Sequence, residues 1–481
     1  MEQIRQNKTS KSLLVALLSV VMTLVMIFTL TPAMTLTAKA ADTIDIGNIS
    51  TDGEHVISDG DTLTGYYNGM TPAGHWIKIP HGATVTFNDI QMLREVRKNY
   101  KYPNFVCDGD ATIILVGTNK IEANLDSPCI SVREGYTLTI KGSGSLELQG
   151  DDDWALSPAI GAPFVENGAY KNAGNIVFES GTIIATAKLY GYGLGGTVKP
   201  VDYPAYNCGD ITIGKDAVVT ATVGPMANQI DITSAIGSCG TIKINGVVFD
   251  SVESTFNYPI AASKVDEYID AIPNSIVYTS ACESAINKAI AYYACTTEAQ
   301  QPDVKKLDKL IAAELEYAKL TINAIPNPVV YTPACKEEID KARNAYNALP
   351  AAQKALVENY DDLLKAEADY RRVSPPTDLS TLTENYTLLD GEGITGTLGG
   401  DYKISVVAGA TVTLKDATIN NYGAGITCNG NATIILEGTN SVKSTQTYNP
   451  GIFVPQGGTL TIKGDGSLTA NGARYGSGIG G

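Results

Sequence analysis

Residues 107–123 read CDGDATIILVGTNKIEA, and residues 428–444 read CNGNATIILEGTNSVKS. The match continues downstream: YTLTIKGSGSLELQG (136–150) returns as GTLTIKGDGSLTANG (458–472), and Ala159-Ile160-Gly161-Ala162 returns as Gly478-Ile479-Gly480-Gly481. Residues of about 45–162 and 381–481 are therefore two copies of one design. A shorter repeat runs on within the first copy. NAGNIVFESGTIIATA from Asn172, NCGDITIGKDAVVTATV from Asn207 and SCGTIKINGVVFDSV from Ser238 share one plan: strand, Gly/Asn/Asp turn, strand.

Apolar residues alternate in these strands, as Leu138/Ile140, Ile176/Phe178, Ile211/Ile213 and Ile242/Ile244, with Thr, Lys or small residues between. A period of two buries one face and wets the other. One such strand pair cannot bury its apolar face alone, whereas stacked copies share a continuous core. The expected fold is mainly β: two right-handed parallel β-helix lobes, the hand following the general crossover rule. A pair of antiparallel sandwiches is the alternative; it has no need to repeat the same strand–turn–strand text.

A different composition separates the lobes. Residues 264–373 hold two helical modules offset by 53 residues: Ala271-Ile272-Pro273 recurs as Ala324-Ile325-Pro326, Tyr278-Thr279-Ser280-Ala281-Cys282 as Tyr331-Thr332-Pro333-Ala334-Cys335, and Tyr317 as Tyr370. Thr332 with Pro333 after it is a helix start, and Ile339, Ala342 and Tyr346 make an apolar stripe. Three helices per copy predict a small three-helix bundle in each. Ser374-Pro375-Pro376-Thr377 reads as a stiff linker. The expected division is signal peptide 1–40, β-lobe 1 41–262, helical module 1 263–319, helical module 2 320–373, linker 374–380 and β-lobe 2 381–481. Copy two stops where copy one continues into further turns, which reads as truncation.

The N-terminus carries Arg5, Lys8 and Lys11, then an almost wholly apolar run from Leu13 to Leu30, then Ala38-Lys39-Ala40. That order is a secretory signal peptide. A secreted, extracellular and surface-associated protein is expected, with no membrane insertion after cleavage. The chain has 481 residues and a formal charge of -16. Without residues 1–40 it keeps 31 basic and 50 acidic residues, a charge of -19. This balance argues against nucleic acid and anionic membranes as partners and admits calcium.

Eight cysteines in an exported chain raise the question of disulfides. Cys282 and Cys295 would lie on one helix roughly 20 Å apart, too far to bridge. Ala173, Cys208 and Cys239 occupy one place in successive turns, and Cys428 matches Cys107 while nothing matches Cys129. Free, buried thiols are expected.

Signals for catalysis are few. His55, His75 and His81 show no zinc spacing, and Gly193-Leu194-Gly195-Gly196 recurs as a turn, so turn geometry accounts for it. Asp151-Asp152-Asp153-Trp154 is the most pointed cluster: three carboxylates suit calcium, and Trp154 suits a sugar ring. The aligned loop in copy two, Asn471-Gly472-Ala473-Arg474-Tyr475, keeps the aromatic and not the acids. Tyr190 and Tyr192 precede a related turn. The candidate carbohydrate-binding residues are therefore Trp154, Tyr190, Tyr192 and Tyr475, and the candidate calcium ligands Asp151, Asp152 and Asp153; no catalytic residue is expected.

The texts ATIILEGTN, TLTIKGDGSL and GSGIGG resemble the β-helical carbohydrate-binding proteins exported by clostridia-like Gram-positive bacteria, over most of 45–250 and 381–481. YNALPAAQKALVENYDDLLKAEADY (346–370) resembles helical modules found between domains of Gram-positive surface proteins. The resemblance implies non-catalytic binding of plant-type or cell-wall polysaccharide, in some members with calcium. An adhesive or structural stalk that binds protein, and a polysaccharide lyase, are the other two readings.

Overall fold

A computed structural model describes residues 41–49, 53–67, 75–93, 102–123, 127–150, 157–166, 169–188, 190–197, 206–227 and 232–481. The expected signal peptide, Asp151–Asp153 and Trp154 lie outside them. The chain forms two compact units, 1–259 and 260–481, and is mainly β.

In the first unit the chain alternates between two sheets. One receives Thr62–Tyr67, Thr84–Met92, Ala111–Val116, Thr137–Gly142, Asn175–Thr186, Ile211–Thr222 and Ile242–Ile244. The other receives Gly53–Val56, His75–Ile79, Phe105–Cys107, Ile130–Val132, Ile160–Gly161, Leu194–Gly195 and Ile236–Gly237. Each of these strands pairs in parallel with the one a turn of the chain away. The expectation of parallel pairing in preference to antiparallel sandwiches is met. Antiparallel pairing among the described residues is confined to Val247–Phe249, Thr255–Tyr258, the hairpin Phe164–Glu166/Ala169–Lys171 and an isolated bridge between Arg133 and Ala173.

The register turns the period-two text into columns. Val85, Ile113, Ile140, Phe178, Ile213 and Ile244 stack in the first sheet, and Ile77, Phe105, Ile130, Ile160, Leu194 and Ile236 in the second; all are buried. Phe87 and Phe105 meet between the sheets, ring centroids 4.7 Å apart. Full burial of each such side chain contributes about 1.5–3 kcal/mol.

The repeated GTN sequence has a structural cause. Asn119 is buried. Its amide nitrogen donates to the carbonyls of Val116 and Ser145, both at 3.0 Å, and its oxygen accepts from Ile90 N at 3.1 Å. Asn440 repeats this with Glu437, Ser467 and Ala417. The bend beside it is tied by Asp89, which accepts from Thr118 N, and by Asp416, which accepts from Thr439 N. Buried polar groups with every partner supplied specify a bend rather than weaken it.

The Gly-Leu-Gly-Gly text is also explained. Gly161 and Gly195 have φ of +133° and +130°, and a Cβ on either would stand 1.9 Å from the carbonyl oxygen of the next turn. Only glycine fits there.

The second unit begins with helices α1 (Ala262–Ala271), α2 (Ser280–Ala294), α3 (Leu307–Asn323), α4 (Pro333–Ala348), α5 (Ala351–Lys354) and α6 (Tyr360–Val373). Thr279 and Thr332 cap α2 and α4 by accepting from Cys282 N and Cys335 N. An offset of 53 residues carries α2 onto α4 and α3 onto α6, and α1 onto the end of α3. The modules thus share α3, so five long helices serve where two separate three-helix bundles would need six. Ile339 and Ala342 are buried as the stripe predicts, and Tyr346 stacks on Tyr360 with centroids 4.2 Å apart.

The second β region begins inside the Pro-rich segment. Thr377–Asp378 pairs in parallel with strand Gly393–Thr397, and the following Leu379 is fully buried. Asp378 accepts from Ser380 N, which holds its carboxyl below the usual range. Asp45 and Ile46 open the first β region in the same way, Asp45 accepting from Gly47 N. The alternation then resumes: Thr411–Asn421, Ala432–Glu437, Thr439–Ser444, Leu460–Lys463 and Ser467–Asn471 on one sheet; Tyr386–Leu388, Ile404–Val406, Ile426–Cys428, Ile452–Phe453 and Ile479–Gly480 on the other.

All eight cysteines are free. Cys208 Sγ donates to Gly174 O at 3.2 Å, and Cys129 Sγ to Ile121 O at 3.3 Å. Burial pushes the Cys107 thiol up to about 12 and the Cys239 thiol up to about 11.

Candidate functional site

One corner of the β repeat collects exposed aromatic residues: the loop that follows the last strand of each turn. In the second unit Tyr422 follows Thr411–Asn421, Tyr448 follows Thr439–Ser444 and Tyr475 follows Ser467–Asn471. Their exposures are 61%, 73% and 68%. Apolar surface of that size on adjacent loops needs a reason, because scattered single side chains are the ordinary case.

The backbone supplies part of it. Tyr448 and Tyr475 adopt φ of +70° and +65°, a left-handed conformation that is unusual for a bulky residue and costs about 1–2 kcal/mol. Tyr448 N donates to Arg474 O at 2.9 Å, tying one loop to the next. The two rings lie stacked, centroids 5.4 Å apart and 24° between planes. The Arg474 guanidinium stands 4.9 Å from the Tyr475 ring centroid. Tyr422 is held by its N–H, which donates to Asp401 Oδ1 at 2.7 Å. Backbone strain of this kind persists only where the surrounding structure holds it in place.

The same corner in the first unit carries Tyr190 and Tyr192, after strand Asn175–Thr186. Both are half-buried. Tyr192 lies over Gly237, where a Cβ would come within 2.3 Å of the ring, and packs, as Val223 does, against Ala227 and Ile232. It is engaged in filling space. Trp154 and Asp151–Asp153 come after strand Ser145–Gln149 in the sequence and lie outside the described residues. The sequence reading thus singled out Tyr475 and passed over Tyr448 and Tyr422. The signal lay in the loop following each turn's last strand, which carries a tyrosine at 422, 448 and 475.

A second aromatic pair sits on the outer face of the first unit. Trp76 and Tyr102 stack with centroids 4.2 Å apart and 6° between planes. Nearby Lys78 bridges Glu54 and Asp108, and Asp108 also pairs with Arg133 at 2.5 Å. Opposing charges there are mutually engaged. A shallow polar depression of about 390 Å³ lies between Gly82, Asp110, Thr112, Thr137 and Thr139.

The acids in the turns that precede strands Thr62–Tyr67, Ala111–Val116 and Ile211–Thr222 are committed to the backbone. Asp59 accepts from Thr84 N, Asp110 from Thr137 N, and Asp210 from Thr241 N. Among the described residues, no group of three or more His, Cys, Asp or Glu side chains is placed to hold a metal ion, and no helix is long and apolar enough to cross a membrane. No protein-family model, curated protein or solved structure matches this chain.

Proposed function

We propose that this chain is a non-catalytic extracellular carbohydrate-binding protein of the cell surface, its two β regions right-handed parallel β-helices that offer corner aromatics to polysaccharide. The observation that carries the reading is the exposed run Tyr422, Tyr448 and Tyr475 with Arg474 over the last ring. Aromatic rings fixed on a rigid framework offer apolar faces to the C–H faces of sugars at little entropic cost. Arg474 adds a donor fork suited to sugar hydroxyls or a uronate carboxylate. The signal-peptide text and the acidic balance agree with an exported protein. Calcium enters this reading only through Asp151, Asp152 and Asp153, whose carboxylates would supply its oxygen ligands.

The test is retention of the full secreted chain on insoluble and immobilised polysaccharides, with calcium and with chelator, beside a Tyr448→Ala/Tyr475→Ala variant. Retention that the double variant loses at least tenfold supports the reading. Retention on no glycan, or equal retention by the variant, overturns it. Loss with chelator alone would place the contact at the acidic triplet and away from the tyrosines.

A further inference from the structure

The helical repeat builds one aromatic docking surface twice. In the first copy Tyr278 and Tyr317 lie with ring centroids 6.0 Å apart and 37° between planes. Helix α4 covers them. The Tyr278 hydroxyl donates to the Glu338 carboxylate, Lys341 Nζ stands 4.8 Å from the Tyr278 ring centroid, and the same ammonium pairs with Glu283 at 2.8 Å. Glu338 and Lys341 are three residues apart on α4, so one helical face delivers both contacts.

Fifty-three residues on, the surface is rebuilt and left open. Tyr331 and Tyr370 lie 5.4 Å apart with 41° between planes, close to the geometry of the covered pair. Tyr331 is 55% exposed. A concavity of about 430 Å³ lies over the pair, lined by Tyr331, Pro333, Lys336, Glu337, Asp340 and Tyr370. Beyond α6 the chain enters the second β region, where Arg371 Nε donates to Asp390 O, and no residue of that region lines the concavity.

The position that Lys341 meets in the covered copy, Glu283, is reversed in charge in the open one. Lys336 stands where Glu283 stands, Glu337 where Ser284 stands and Asp340 where Asn287 stands. A lysine entering as Lys341 does would meet Lys336. A carboxylate in that place would pair with it, sharing it with Asp340, which already holds the ammonium. A second copy of this chain fits poorly through the equivalent face of α2, because Ala285 stands where Glu338 stands while Lys288 keeps the lysine of Lys341: the tyrosine hydroxyl would lose its acceptor and two ammonium groups would face each other.

We infer that the Tyr331–Tyr370 concavity docks an amphipathic helix from a protein partner, one that offers a carboxylate to the Tyr331 hydroxyl and a second, three residues further on, to Lys336. This mode is helix-in-groove recognition, and the template for it is the contact the chain makes with itself at Tyr278. It does not depend on glycan binding.

The probe is a hydrocarbon-stapled peptide of residues 332–349 carrying Lys341→Glu, compared with the same peptide unaltered, titrated by fluorescence anisotropy against the full chain. The expected result is micromolar binding of the Lys341→Glu peptide, at least tenfold tighter than the unaltered one. Tyr331→Ala in the chain removes it, and Lys336→Glu, checked for native circular dichroism, reverses the preference. Binding of neither peptide, equal binding of both, or an unchanged order with Lys336→Glu overturns the proposal. Displacement of the peptide by an oligosaccharide that elutes the chain from a polysaccharide column also overturns it, since the concavity would then be a sugar site.

Discussion

The two β regions share their framework and differ at their corners. Asn119 and Asn440 make the same three hydrogen bonds, Asp89 and Asp416 hold the same bend, and Asp45 and Asp378 open the same first turn. At the corner, by contrast, the first region half-buries Tyr192 against Gly237 while the second sets Tyr448 and Tyr475 out in solvent with strained backbones. Text that repeats in this chain is therefore mostly framework, and the exposed aromatic surface is written where the copies diverge. A repeat motif is a poor guide to a site for the same reason it is a good guide to a fold: it records what stacking requires of every turn.

The largest effect expected is at Gly195. Alanine there would press its Cβ onto Gly237 O, and the cost should exceed about 4 kcal/mol in denaturant unfolding. Gly246→Ala, also at positive φ but with open space around it, should cost only about 1–2 kcal/mol. Equal costs would mean that backbone conformation alone, and not the approach of the next turn, demands glycine.

Next come the paired asparagines. Asn119→Ala strands the Ile90 amide and Asn440→Ala the Ala417 amide, each worth about 1–3 kcal/mol. Amide exchange at these two sites should quicken by about 5- to 150-fold, and to a similar degree in both regions. A response in only one region would break the equivalence of the frameworks.

Smaller in stability, though not in function, are the corner tyrosines. Tyr448→Gly and Tyr475→Gly relieve a left-handed side-chain clash, so each should raise stability by up to about 1 kcal/mol while glycan retention falls. A fall in melting temperature would show that the stacked pair serves the fold.

The smallest effect is on thiol chemistry. Burial raises the folded pKa of Cys107 to about 12 and of Cys239 to about 11, against an ordinary value of 9.0. A raised folded pKa gives stability that is fully present below pH 9 and is lost as pH climbs towards 11–12, because the unfolded chain ionises first. Cys107→Ala should flatten that alkaline decline slightly. At pH 8, iodoacetamide should reach half-buried Cys239 slowly and leave Cys107 untouched until unfolding.

Much of this was legible in the residues. Alternation of Leu138/Ile140 and its successors pointed to stacked parallel strands because only side chains at even spacing can form columns. Thr332 and Pro333 marked the start of α4, and the Cys208/Cys239 position read correctly as free thiols. Less legible was α3, which a 53-residue repeat counts twice although the chain builds it once. The Pro-rich 374–377 read as a linker because proline suppresses strand text; yet Thr377 starts the β region, where an edge position tolerates it.

The sequence by itself determined the strand period, the two repeat lengths, the helix caps and the positions that must be glycine, since these follow from local geometry and from what each turn must present to the next. The tertiary structure alone decided which aromatic side chains reach solvent. Tyr192 and Tyr475 precede related turns in similar text; one finds Gly237 and an apolar nook beside it, the other finds only Tyr448 and Arg474. Exposure depends on what the neighbouring loops leave uncovered, and that is a property of packing between turns rather than of any single turn.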